Sequence, residues 1–473
     1  MDKYLADFHE QANWILSLIT DPIGSRHFHE ESLQTKTMKH TSRISRISRF
    51  LEFLGNPQHQ FKSVHVAGTS GKGSVVVMIA NMLTQHRLRT GFHVTPYLQI
   101  CNEKLIIDNT MIAPYVFAKL VKEFRTLFEK WVAKGNELRY GEVWVALTYL
   151  WFAKEKIDWG IIETGVGGRF DATNVLPSKL AVITEIGYDH IKHLGPTLAD
   201  IAYHKAGIIK ENSVAVTSVT NNDILSIIKK EATEKHAELY TIGNDFNLTV
   251  KKINQHGAVI SVDTPFHHYN NIFISLQGHF QPTNAAIAIM AYDLLAEKYN
   301  ITRSEKSIRT ALKNITFPGR MEVMQYHPLV MLDGAHNKQK MQALVESIQI
   351  IYPSKKMTVI IGVLATKDAT SLINILAPLT CRFIATRPYV FGKKSLEPIQ
   401  LTDIIKNISP NKEVHVTDDV QKSVELVLRM VNDDELILVT GSLYLVGEAR
   451  DYWIPKDNIL NCLNVQEKLR VQP

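Results

Sequence analysis

The stretch His65-Val66-Ala67-Gly68-Thr69-Ser70-Gly71-Lys72-Gly73-Ser74-Val75 decides the fold. A short apolar run, SVHVAG, leads into it. SVVVMIANMLTQHRLRTG leads out with a helical pattern that closes at Gly91. Strand, glycine loop, lysine and helix in that order describe a phosphate-binding loop. Gly68, Gly71 and Gly73 let backbone N–H groups turn towards phosphate oxygens, the helix start adds its positive end, and Lys72 supplies a point charge. The spelling departs from G-x-x-x-x-G-K-[ST]. Val66 stands where the first glycine belongs and Gly73 where the hydroxyl belongs, with Ser74 one residue late. In a standard loop that hydroxyl helps to hold magnesium, so its displacement calls for other ligands. Thr95 in HVTPYL, Glu163 and His190 fall at the ends of other apolar runs. Taken singly, each reads better as a strand-end threonine, a solvated glutamate and a capped histidine.

Outward from the loop the same cycle recurs. DWGIIE runs into TGVGGRFDATN, and LAVITEIG into YDHIKHLG. TLADIAYHKAG reads as a helix started by Thr197 and stopped by Gly207. After Pro318 come PLVMLDGAHN, MTVIIGVLATKD, CRFIATRP and ELILVTGSLYLVG. Strands alternating with helices predict an α/β protein: a mostly parallel sheet domain carrying the loop, then a smaller Rossmann-like α/β domain. The Pro- and Gly-containing NITFPGR is the best linker, placing the domains at residues 1–316 and 317–473. Ligands of such sheets bind beyond the carboxyl ends of the strands. The loop, Glu163, Asp189-His190, Asp333-His336 and Gly441-Ser442 all fall there, which predicts a site in the cleft between the domains.

Composition narrows the function. A chain of 473 residues with 45% hydrophobic and 21% charged residues suits a soluble protein of two or three domains. No apolar run approaches the ~20 residues of a membrane helix, and MDKYLADFHEQANW carries no secretory pattern. Cys101, Cys381 and Cys462 are scattered, which fits a reducing cytoplasm rather than a disulfide framework. A net charge of +6 spread along the chain argues against nucleic acid and favours small anionic substrates.

GTSGKGS, ETGVGGRFDATNV, ITEIGYDHIKHLGPTLADIAYHKAGIIK, FPGRMEV, LDGAHN and VTGSLYLVGEAR occur in this order between residues 68 and 450. Together they resemble the dihydrofolate synthase and folylpolyglutamate synthase family of the Mur ligase superfamily. The resemblance implies that ATP phosphorylates a pteroate or folate carboxylate and that the amine of L-glutamate displaces the phosphate to form an amide. It implies phosphate contacts from Gly68, Thr69, Ser70, Gly71, Lys72, Gly73 and Ser74, with Asn284, Arg320 and Asp333 also on the nucleotide. Thr95, Glu163 and His190 would ligate Mg2+, and the family leaves room for a monovalent cation such as K+. Lys205 matches a lysine that is carbamylated in the family; without the resemblance it reads as a last-turn cation complementing its helix dipole. His336 would border the phosphate or the nucleophile. Asp171, Ala172 and Thr173, with Thr95, would face the pterin, and the G-G-R-x-D-A-T-N spelling is similar to enzymes that also accept dihydropteroate. A cytoplasmic monomer is implied. Thr95 for serine, Tyr97 for histidine, Lys104 for arginine, Ser70 for asparagine and Thr366 for aspartate depart from the usual pattern, the first three bearing on acceptor choice.

Two other readings compete. A cell-wall Mur ligase would carry an N-terminal UDP-binding domain, whereas GTSGKGS begins at residue 68. A P-loop GTPase switch would need a guanine-reading [NT]-K-x-D, which TKDA does not supply, and would leave LDGAHN and VTGSLYLVG without a use.

Overall fold

SVHVAG forms the strand Lys62–Ala67, central in an eight-stranded sheet. The protein is seen in a computed structural model that describes residues 3–21 and 33–470; residues 1–2 and 471–473, the outer ends of the two expected domains, lie outside it, as does 22–32. Across the sheet the order is Thr110–Met111, Ile106–Ile107, Thr90–His93, Trp159–Glu163, Lys62–Ala67, Leu180–Ile183, Val214–Thr217 and Glu238–Thr241. The last six are parallel, and the two short strands at one edge are antiparallel. Parallel strands are covered on both faces and so read as continuous apolar runs. Val64, Val66, Ile161, Ile162, Val182 and Ile183 are accordingly all buried.

One face packs on the helices Lys72–Thr84 and Gln281–Lys298. The latter is buried all round from Asn284 to Ala296, as its run of Ala and Ile requires. The other face is covered by Leu198–Ala206 and Asn222–Glu234, and by Pro114–Val132 and Tyr140–Lys154. Thr197 caps Leu198–Ala206 through a reciprocal bond with Asp200, and Gly207 ends it, as the sequence pattern predicts.

The helix after the loop does not close at Gly91. It ends at Thr84, and Gly91 lies within the strand Thr90–His93. The glycine is needed there for packing: a Cβ would come 2.6 Å from the Phe152 ring. An antiparallel sheet of Asn247–Asn254, Gly257–Asp263 and His268–Ile274 was also not anticipated. Its first strand is half exposed and polar, which hides the alternation, while Ile260, Val262, Tyr269 and Ile272 join the first core.

The second sheet has the order Glu322–Tyr326, Leu329–Leu332, Glu435–Thr440, Lys356–Ile361, Thr380–Ala385 and Glu413–Val416, parallel except for the first pair. It forms a second lobe with its own core of Met331, Val359, Phe383 and Leu438. The last helix, Lys456–Arg470, leaves that lobe and packs Leu460 and Leu463 among Phe8, Phe50 and Phe124 of the first.

Candidate active site

The carboxyl ends of both sheets face a shared cavity of about 1170 Å³, bordered by Lys72, Thr95, His190, Lys205, His336 and Lys340. The loop at its base is held by contacts only glycine allows. Gly68 has φ +152°, and a Cβ there would lie 1.7 Å from Thr184 Oγ1. Gly71 has φ +83°, and its Cβ would fall 2.2 Å from Asn284 Oδ1. Asn284 therefore sits against the loop, its Nδ2 donating to Gln281 Oε1 at 3.0 Å. Thr69 Oγ1 donates to the Gly187 carbonyl at 2.9 Å and accepts from the Gly187 N–H at 3.0 Å, which anchors the loop to the next strand's end. Ser70 Oγ is buried without a protein partner, and Ser74 is buried with only a long approach, 3.5 Å, from Gln281 Nε2. Gly73 lets the Phe317 ring close over the loop.

Lys72 Nζ lies 3.6 Å from Glu163 Oε1, and the other Glu163 oxygen accepts from the Thr95 N–H at 3.0 Å. Thr95 Oγ1 accepts from Lys104 Nζ at 3.1 Å. Magnesium binds hard oxygens, takes few of them from protein and keeps water or phosphate for the rest. A buried carboxylate and a threonine hydroxyl fit that demand. Among the described residues no three His, Cys, Asp or Glu side chains form a ready cage, so hydroxyl, water and phosphate oxygens must complete any shell. His190 is exposed, in a left-handed backbone conformation with φ 50°, its Nε2 3.9 Å from Asp189 Oδ1.

Lys205 is not a solvated last-turn cation. It is 4% exposed, and its Nζ donates to the Gly68 carbonyl at 2.6 Å. Burial, then the neighbouring Lys72, hold its pKa well below the usual lysine range.

Asp171 spends its carboxylate on the chain. It accepts from the Thr173 N–H at 3.0 Å, the Thr173 hydroxyl at 2.5 Å and the Val166 N–H at 3.0 Å. Thr173 Oγ1 in turn accepts from His65 Nε2 at 2.8 Å. Asp171, Ala172 and Thr173 do meet Thr95, in an adjoining cavity of about 290 Å³ that Lys104 and Trp144 also line. On the second lobe, Asp333 is buried and accepts from the Met321 N–H at 3.0 Å and the Ala335 N–H at 2.8 Å. Arg320 lies over the Phe317 ring, 5.3 Å from its centre, and bonds the Gly319 carbonyl.

His336 Nδ1 donates to the Gly334 carbonyl at 2.8 Å, which leaves Nε2 as the acceptor of Lys340 Nζ at 3.3 Å. Burial, then Lys340, push its pKa down to about 4, so the ring is neutral at pH 7. Asp189 of the first lobe receives Lys367 Nζ at 2.9 Å and Asn337 Nδ2 at 3.1 Å from the second, with Lys340 Nζ at 3.7 Å; the unprotonated His336 Nε2 lies 3.8 Å away and donates nothing to it. Burial works against its ionisation, but the Lys340 and Lys367 ammonium groups outweigh it and hold the carboxyl well below the usual range. Sequence reading missed Lys340 and Lys367. For Lys340 a signal existed: it stands in the first turn of the helix that opens directly after LDGAHN.

The chain matches two family models, the Mur ligase middle domain over residues 66–292 and the Mur ligase glutamate ligase domain over 319–443. It is 34% identical over 419 residues to the dihydrofolate synthase/folylpolyglutamate synthase of Bacillus subtilis, covering 86% of this chain and 94% of that one. It is 30% identical to the folylpolyglutamate synthase of Lacticaseibacillus casei, covering 86% and 93%. The Mycobacterium tuberculosis folylpolyglutamate synthase, solved with ADP and AMPPCP, superposes with a TM-score of 0.84 at 26% identity, covering 96% of this chain and 99% of that one. Matched by both domain models and by these relatives over most of its length, the chain belongs to the dihydrofolate synthase/folylpolyglutamate synthase family, built on Mur ligase domains.

Proposed function

We propose that this chain is an ATP-dependent ligase that joins a pteroate or folate carboxylate to the amine of L-glutamate. The observation that carries the reading is the convergence of Lys72, Lys205, His336 and Lys340 from two lobes on one cavity above a glycine loop. The carboxylate attacks the γ-phosphorus and releases ADP; the amine then attacks the acyl carbon and expels phosphate. Two anions must meet in the first step, so fixed cations and positioning supply most of the catalysis. Lys72 and the backbone of Gly68–Ser74 hold the phosphates, Asn284 backs the loop on the nucleotide side, and Arg320 and Asp333 approach from the second lobe.

Thr95, Glu163 and His190 are the residues that would hold Mg2+, which when bound neutralises phosphate charge; a monovalent cation such as K+ belongs to the same proposal. Lys205, buried and driven towards the neutral amine, is in the form that combines with CO2 to give a carbamate. Asp171 shapes the pterin wall through the loop at Val166 rather than with a free carboxylate, beside Ala172, Thr173 and Thr95. The division at 316/317 separates the nucleotide-binding lobe from the glutamate-ligase lobe, and the enzyme works as a cytoplasmic monomer.

The test is ADP release with dihydropteroate and tetrahydrofolate run side by side, with and without L-glutamate, and with hydroxylamine to trap the carboxyl phosphate. Sustained ADP release that needs both acceptor and glutamate is expected, and one acceptor outpacing the other identifies the substrate. ADP release indifferent to glutamate overturns the reading.

A further inference from the structure

The second lobe contributes a cation whose surroundings do not account for it. Lys340 stands in the first turn of the helix Lys338–Ile351, the end where the helix dipole disfavours positive charge. Among the described residues Asp189 is the one carboxylate within ion-pair distance of it, with Asp333 acting from farther off, and Asp189 is already hydrogen-bonded by Lys367 at 2.9 Å and Asn337 at 3.1 Å. Lys340 is left at 3.7 Å, beyond hydrogen-bonding reach, and makes a single longer bond to His336 Nε2. Lys367 does not border the large cavity, whereas Lys340 does, together with Lys72 and Lys205. Lys72, Arg320 and Lys367 all act on Lys340 as repelling neighbours. An ammonium so placed gains most when a multivalent oxyanion lies between it and Lys72.

We propose that Lys340 is a phosphoryl-binding residue: its ammonium, brought by the second lobe, contacts the γ-phosphoryl group that Lys72 holds on the first. The assignment rests on the ATP-dependent reading above and extends it. The transferred group is gripped from both lobes, so the charge that develops on its oxygens meets a full complement of cations only when the cleft is assembled. His336 keeps Lys340 in place by accepting its proton-bearing nitrogen, and Asp189 balances part of its charge without claiming it.

Equilibrium binding of AMPPCP and of ADP, each with Mg2+, tests the proposal on the full chain without any acceptor. Lys340→Met should weaken AMPPCP by about tenfold or more and ADP by less than about twofold, since one charge-assisted contact to the γ-group is lost. Lys340→Arg should keep AMPPCP binding within about threefold of the parent. Thermal unfolding of both variants checks the fold, and Lys340→Gln replaces the methionine variant if that one does not fold. Equal weakening of the two nucleotides overturns the proposal. So does unchanged AMPPCP binding with a raised KM for glutamate, which would place the amino acid's carboxylate at this ammonium. If wild-type ADP release proves independent of acceptor and glutamate, the ligase reading fails, while the AMPPCP-to-ADP comparison still decides the role of Lys340.

Discussion

Asp189→Asn removes the charge on which the second lobe closes. At 2.9 Å and an effective dielectric near 20, Asp189 and Lys367 attract by about 6 kcal/mol before desolvation. Both side chains are largely buried, at 11% and 17% exposed, so desolvation cancels much of that sum. Removing one partner leaves a buried ammonium uncompensated, a loss of about 3 kcal/mol. The pair spans two lobes with separate cores, and Lys367 regains water when they part. The loss therefore falls on the closed arrangement rather than on folding, and 3 kcal/mol corresponds to about 150-fold. kcat/KM for ADP release should drop on the order of a hundredfold while the unfolding midpoint moves little. Lys367→Met should lower kcat/KM less, since Asn337 and Lys340 still face Asp189, and Asp189→Asn/Lys367→Met should cost less than the two single changes summed. Steady-state kinetics of the four proteins with calorimetry completes the cycle. Asp189→Asn within threefold of wild type, and equally an additive cycle, would refute the reasoning.

Lys205→Ala should lower turnover by about a hundredfold or more, as loss of a group at a charged reaction centre does, with partial rescue by short carboxylates that refill the space. Undiminished turnover rejects a role for Lys205 at the site. A second expectation concerns Lys210, which donates to the Asn174 carbonyl and Oδ1 and whose pKa is pushed down to about 8 by burial, then by Lys235. A lowered lysine binds fewer protons folded than unfolded, so stability rises with pH between about 8 and 10.4, by up to about 3 kcal/mol. The difference in unfolding free energy between wild type and Lys210→Met should follow that rise in urea titrations; a flat difference across the window contradicts it.

The parallel sheets were legible because their signals are local. Val64-His65-Val66-Ala67 is apolar enough for a doubly covered strand, and Thr197 with Asp200 spells a cap within four residues. Part of the rim was legible for the same reason, since Glu163 ends one apolar run and Asp333 directly follows another. Lys340 and Lys367 were not, because their meaning lies in Asp189, roughly 150 and 180 residues earlier in the chain. Gly91 misled the reading since glycine ends helices and also admits close packing, and only the position of Phe152 separates the two. Asp171 illustrates a further limit: the family resemblance implies a place facing the pterin, yet its oxygens are committed to Thr173 and Val166.

The two lobes are separate in their sheets but not in their joints. Gly447 admits the Leu98 carbonyl, 2.0 Å from where its Cβ would stand, and Arg450 binds Gln99 while Leu460 and Leu463 return to the first core. Residues just past Thr95 are thus clamped by the lobe that does not carry them. In descent, neither lobe could be traded for that of a relative by recombination at the linker alone. A viable exchange would have to carry the Leu98–Gln99 segment and the terminal helix along with it.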